Sequence, residues 1–303
     1  MTHVNRPEAA VSLSSPRIAA QGTGILVMVL AMSLVPMIDV QAKLLLLGGI
    51  SAFQVVFLRM LCGSLLLAPI MLLKRRNELL PPQGTISVLL LGGLNVAAGF
   101  LFFQALKYIP IADAVAISFV QPLFVVLLSH FILREHVGPS RRAALVVGFA
   151  ASILIIRPGL TGVDPGGLLA LASGFAMACY AILVKASVGG LRRVSPVTLT
   201  FQTHFVGFLL AIPLMMISWE TITINQWLMA FSMAGFGLAG QYLIIKAYQL
   251  SDASLVAPFV YLEIVTSTVF SWLIFHDMPD AITFVGVAIL IISSLFLIRR
   301  RSN

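Results

Sequence analysis

The sequence predicts an all-α membrane protein of ten transmembrane helices, arranged as two inverted five-helix repeats. Three observations predict it. The 303 residues are 59% apolar and only 10% charged, with a mean hydropathy of +1.04, whereas soluble domains carry about 25% charged residues. The apolar residues fall in runs of about 17–23, each long enough to cross a hydrocarbon core about 30 Å thick. Charged and small residues also recur at a fixed spacing in the two halves of the chain.

Residues 1–21 are polar, contain Pro, Ser, Arg6 and Arg17, and read as a disordered cytoplasmic tail. The first apolar run starts near Gly24 and has no small-residue cleavage site before Asp39, so it reads as a retained span. Further spans are expected at 51–73, 85–106, 112–132, 140–156, 166–187, 196–218, 227–248, 253–275 and 280–298. The first repeat then covers 22–158 and the second 166–298, with five helices in each.

The loops carry the orientation. With the N-terminus inside, 15 of the 19 basic residues fall on the cytoplasmic side, among them Lys74-Arg75-Arg76, Arg141-Arg142, Arg192-Arg193 and Arg299-Arg300-Arg301. Only Lys43, Arg59, Lys107 and Arg157 lie toward the other. That asymmetry requires an even number of spans with both termini inside. It also accounts for the net charge of +8 without a nucleic-acid partner, since the basic residues sit in short clusters between apolar runs.

The repeat shows in the spacing. Lys43 precedes Gly48-Gly49 as Lys185 precedes Gly189-Gly190, and Glu135 is matched by Asp277, both at an offset of 142 residues. Ala105 precedes Asp113 as Ala247 precedes Asp252. Five helices are an odd number, so the second copy enters the membrane upside down. Inverted repeats of this kind characterise secondary transporters, with the substrate site near the midplane where the halves meet.

Glu263, in the middle of the expected 253–275 helix, is the only acidic residue read as lying well inside an apolar run. A charge at that depth costs about 2.5–3.5 kcal/mol on insertion scales, so it faces a wet cavity or a partner helix. Other polar residues at depth are Arg59, Asn95, Gln104, Gln121 beside Pro122, Gln202, His204, Gln241 and Tyr242. Taken singly, each amide or histidine reads as an interhelical hydrogen bond. As a set spread over both halves, they predict a polar cavity. Pro122 and Pro258 remove backbone bonds and are expected to kink their helices. Glycines 92, 93 and 99 and glycines 235, 237 and 240 allow close packing, or bending as well. Asp113 and Asp252 read as caps or first-turn charges.

Catalytic motifs are missing. The sequence has no GxxxxGK[ST], HExxH or GxSxG pattern, so no cofactor and no nucleotide hydrolysis are expected. His276-Asp277 with Asp280 reads as a turn around Met278-Pro279 and not as a metal site. Cys62 and Cys179 lack motif spacing and read as small apolar residues.

These residues resemble the EamA-type drug/metabolite transporters. The matching pieces are Ala105 to Asp113, Pro122 and Glu135 in the first half, and Ala247 to Asp252, Pro258 and Asp277 in the second, with Arg59 early in the second helix. The stretch KAYQLSDASLVAPFVYLEIV with FHDMPD, and Asp39 with Lys43, are similar to the S-adenosylmethionine and riboflavin uptake carriers of that superfamily. The first half shows no counterpart to Tyr261-Leu262-Glu263. The resemblance implies uptake of a vitamin- or cofactor-like metabolite across a bacterial inner membrane. Export of amino acids or toxic metabolites is the alternative, and a membrane-embedded enzyme a remote one. The expected substrate-binding residues are Glu263, Tyr261, Asn95, Gln121, Arg59, Tyr242 and His204. The expected partners are a small-molecule metabolite and the lipid bilayer, and a homodimer is left open.

Overall fold

The computed structural model describes residues 14–79, 84–132, 139–156, 164–188, 195–215, 219–251 and 256–299. Glu135 and Asp252, and the expected tail up to residue 13, lie outside these residues. The described chain is all-helical, with no strand. Among the described residues twelve α-helices follow in order: α1 (Ser14–Leu34), α2 (Pro36–Leu47), α3 (Ala52–Lys74), α4 (Thr85–Ala105), α5 (Ile111–Ser118), α6 (Gln121–Ile132), α7 (Pro139–Ile156), α8 (Pro165–Val188), α9 (Pro196–Met215), α10 (Ile224–Leu250), α11 (Leu262–Phe275) and α12 (Ala281–Arg299). Helix α1 starts at Ser14, ahead of the expected first span, because helix formers such as Ala19, Ala20 and Gln21 lead into the apolar run.

Among the described residues seven segments are long and apolar enough to cross a membrane: Gly22–Leu47, Ala52–Lys74, Thr85–Ala105, Ile111–Ile132, Pro165–Val184, Pro196–Met215 and Ile224–Leu250. Leu145–Ile155, Phe259–Phe275 and Ala281–Ser293 are apolar but shorter. Leucines such as Leu26, Leu65, Leu72 and Leu90 stand exposed along these helices, an outer surface suited to lipid rather than water.

Three expected spans are broken. The first bends at Val35, where Pro36 opens α2 with its ring in place of an amide N–H. The fourth is interrupted at Phe119-Val120, just before Gln121-Pro122, as the proline predicts. In the ninth, a 3₁₀ turn (Ala257–Tyr261) carrying Pro258 precedes α11. Glu263 therefore lies in the first turn of α11 and not in the middle of a continuous helix, which corrects the expectation from sequence.

Helix packing repeats itself between the halves. α4 packs on α8 and α1 on α10; α3 packs on α9, α7 on α12, and α5 on α11. Shifting by 142 residues carries α3 onto α9, α4 onto α10 and the first span onto α8, so the α4–α8 and α1–α10 contacts exchange. The main core lies where α2, α3, α4 and α5 meet α8 and α11, around Val55, Met60, Phe103, Ile117 and Ile264.

Candidate substrate cavity

The three helix breaks meet at one place. A cavity of about 460 Å³ opens between the halves and is lined by Asp39, Arg59, Asn95, Phe119, Gln121 and Glu263, among others. Asp39 and Glu263 occupy equivalent local settings: each is the acidic residue in the first turn of a helix that restarts after a break. The helix dipole at such a turn favours a carboxylate. Short-range backbone bonds carry the chain across the first two breaks, Ile38 N–H donating to the Val35 carbonyl at 3.0 Å and Val120 N–H to the Ile117 carbonyl at 3.1 Å.

Arg59 is held from three sides. Its Nη2 donates to Asn95 Oδ1 at 2.8 Å, and its guanidinium carbon stands 5.6 Å from the centroid of the Phe103 ring. Gly99 supplies the floor: a methyl group there would stand 3.1 Å from Nη2. The buried Nε has no hydrogen-bond partner among the described residues. Asp39 is 8% exposed and lines the same cavity as Arg59 and Glu263.

The expected site residues are placed as follows. Glu263, Arg59, Asn95 and Gln121 all line the cavity. Tyr261 is 6% exposed and stands behind the wall, its ring 5.3 Å from that of Phe119, which does line the cavity. His204 faces a second chamber of about 250 Å³, which shares Arg59, Asn95 and Met177 with the first. Its Nδ1 donates to the Thr200 carbonyl at 2.9 Å, and Gly63 leaves room for its ring, since a methyl there would approach Cδ2 to 2.5 Å. Tyr242 borders no described cavity. It is 58% exposed, with Lys246 Nζ 5.8 Å from its ring centroid. Its neighbour Gln241 turns inward and donates to Thr200 Oγ1 at 2.9 Å, so the turn of α10 between them points Tyr242 out of the bundle.

Two features escaped the sequence reading. Asp39 is a second carboxylate at depth, which corrects the reading of Glu263 as the only one. Its place follows from Pro36, which starts a new helix and carries the first span on to Leu47. The other feature is the counterpart that the first half was expected to lack. The 142-residue offset carries Phe119-Val120-Gln121 onto Tyr261-Leu262-Glu263. Gln121 and Glu263 both line the cavity and both stand at the start of a restarted helix, while Phe119 and Tyr261 meet ring against ring. The offset alone, applied to residue 263, would have found them.

At the end of the bundle that carries α2's C-terminus, Lys43 Nζ pairs with Asp277 Oδ2 at 2.8 Å beside a third cavity of about 320 Å³. Among the described residues no group of His, Cys, Asp and Glu could hold a metal ion.

Comparison with known proteins decides the family. The model of the EamA-like transporter family matches twice, over residues 22–157 and 164–299. The chain belongs to this family. It is accordingly a multi-pass membrane protein of a transporter family built from a duplicated domain. It is 28% identical to an S-adenosylmethionine uptake transporter of Rickettsia bellii, over 82% of this chain and 84% of that one. It is 26% identical to the pseudopaline exporter CntI of Pseudomonas aeruginosa, over 83% and 88%, and 28% identical to a riboflavin transporter of Rhizobium johnstonii, over 72% and 70%. A protein of known crystal structure shares the fold with a TM-score of 0.61 at 19% identity, covering 93% of this chain and 99% of that one.

Proposed function

We propose that this EamA-family chain is a secondary carrier that takes up a cofactor-like metabolite with a fused heteroaromatic ring, S-adenosylmethionine or riboflavin, across a bacterial inner membrane. The observation that carries the reading is the cavity between the two family segments, with aromatic walls and polar groups brought together by three helix breaks. Its volume of about 460 Å³ is within the range of small-molecule sites. Phe102 and Phe119 supply ring contacts, and Asp39, Arg59, Asn95, Gln121 and Glu263 the polar ones. Tyr261 braces Phe119, and His204 shapes the adjoining chamber.

Ten crossing segments in two inverted sets of five, with both termini cytoplasmic, follow from the loop charges and the odd number of helices per repeat. A reporter active only in the cytoplasm should work after Asn303 and fail near Asp164. In this orientation Lys43–Asp277 closes the periplasmic end. Alternating access then moves one repeat against the other around the site.

Growth rescue tests the uptake reading. Cells unable to make S-adenosylmethionine or riboflavin should grow on one of these compounds when they express the chain. Rescue by neither, with the protein present in the membrane, would contradict uptake. The second reading is export, favoured by the relative that exports pseudopaline. It predicts instead that expression lowers the intracellular level of a metabolite.

A further inference from the structure

We infer that the cavity is matched by charge to a heteroaromatic ligand with two cationic centres and one carboxylate, the pattern of S-adenosylmethionine, and not to an uncharged flavin. The inference rests on the uptake reading above and names the substrate within it.

The cavity holds two carboxylates, Asp39 and Glu263, and one guanidinium, Arg59. Neither carboxylate has a hydrogen-bond or ion-pair partner among the described residues. Both line the same cavity, together with Ile38 and Val260. The guanidinium bonds Asn95 through Nη2, and its buried Nε–H has no hydrogen-bond partner among the described residues. The walls around them are apolar, with Val35, Ile38, Phe102 and Val260 among them. A ligand that fills such a site displaces solvent from all three charges, and each charge left without an opposite partner is costly.

A sulfonium and an ammonium can answer the two carboxylates, while an α-carboxylate answers Arg59. The cavity's excess of one negative charge then meets a ligand with an excess of one positive charge. Aromatic side chains at Phe102 and Phe119 accept a purine, and they also favour a sulfonium placed over a ring. A flavin can stack as well, so the rings do not separate the two candidates. The charges do, because a flavin would leave Asp39, Glu263 and Arg59 all unanswered.

The position of the charges adds direction. Gln121 and Glu263 are equivalent under the 142-residue offset, yet only Glu263 is acidic. The cationic end of the ligand is thereby drawn toward α2 and α11, and its carboxylate toward α3 and α4.

Competition binding to the purified full chain tests this, with radiolabelled S-adenosylmethionine displaced by unlabelled S-adenosylmethionine, S-adenosylhomocysteine or riboflavin. S-adenosylhomocysteine keeps the ring, ammonium and carboxylate but lacks the sulfonium charge. We expect S-adenosylmethionine to bind at least about tenfold tighter than S-adenosylhomocysteine, and riboflavin to bind more weakly than both. Asp39→Asn and Glu263→Gln, scored per folded molecule, should each bring the first ratio to within about twofold. Equal affinities for the two adenosyl compounds in the unaltered chain would overturn the charge match, whatever the variants do. Riboflavin binding tighter than S-adenosylmethionine would also overturn it, while leaving the uptake reading standing. Binding of none of the three would overturn both.

Discussion

Lys43 and Asp277, 234 residues apart in sequence, form an ion pair of 2.8 Å that ties α2 to the α11–α12 connection, one residue from each family segment. Lys43 also stands 4.8 Å from the Phe275 ring centroid, and a cavity lined by Leu46, Leu106 and Ile109 lies beside the pair. Any motion that opens this end has to part the two charges. With Lys43 at 11% and Asp277 at 36% side-chain exposure, the pair contributes about 1 kcal/mol to holding α2 against the α11–α12 connection.

Loosening that contact should favour opening. Lys43→Met or Asp277→Asn should raise labelling of a cysteine placed at Ile109 about fivefold, the population change that about 1 kcal/mol produces. The charge reversal Lys43→Asp with Asp277→Lys should return labelling toward the original level. Labelling that ignores both single substitutions would show that the pair holds nothing shut.

Glu263 separates a ligand-binding role from a structural one. Glu263→Gln keeps the size and removes the charge, so transport should fall at least about tenfold, or about 1.4 kcal/mol, with membrane abundance near normal. If Glu263 instead only balances Arg59 inside the bundle, abundance should collapse, and adding Arg59→Gln should restore it. Transport per folded molecule is the quantity to compare. An unchanged value for Glu263→Gln would remove this residue from the site.

A pH-dependent contact stands at the opposite end of the bundle. Thr198 Oγ1 at the start of α9 donates to Glu78 Oε2, Arg75 Nη1 pairs with Glu78 Oε1 at 2.8 Å, and Gln202 Nε2 donates to the Glu78 carbonyl at 3.1 Å. The Thr198 hydroxyl above all, and then Arg75, hold the Glu78 carboxyl below its ordinary value of 4.5. A carboxyl depressed in the folded state adds stability above its unfolded value and loses it as pH falls through the folded value. Thermal unfolding in detergent should therefore show the native chain above Glu78→Gln at neutral pH, with the two converging below pH 4.5. A gap that does not change with pH would contradict this role.

Much of the architecture is legible in the sequence because the bilayer demands long apolar helices, and hydropathy reports them directly. Arg59, Asn95, Gln121 and Glu263 are legible for the same reason: polar groups at depth need a cavity or a partner. Pro122 announces its break. Asp39 is missed because it stands late in the first apolar run, and only the restart at Pro36, which carries that span on to Leu47, places it at depth. Tyr242 is misplaced because a helix that is apolar all round gives no sign of which face turns inward. Pairings such as Lys43–Asp277 depend on how the two segments pack, which no local pattern encodes.

Counterflow in liposomes tests the central claim most directly. Purified chain, reconstituted without nucleotide and preloaded with unlabelled S-adenosylmethionine or riboflavin, is offered the same compound in labelled form. The account predicts transient, saturable accumulation of one of them, reduced at least about tenfold by Glu263→Gln. No accumulation of either compound above empty liposomes, from protein shown to be folded, would contradict it.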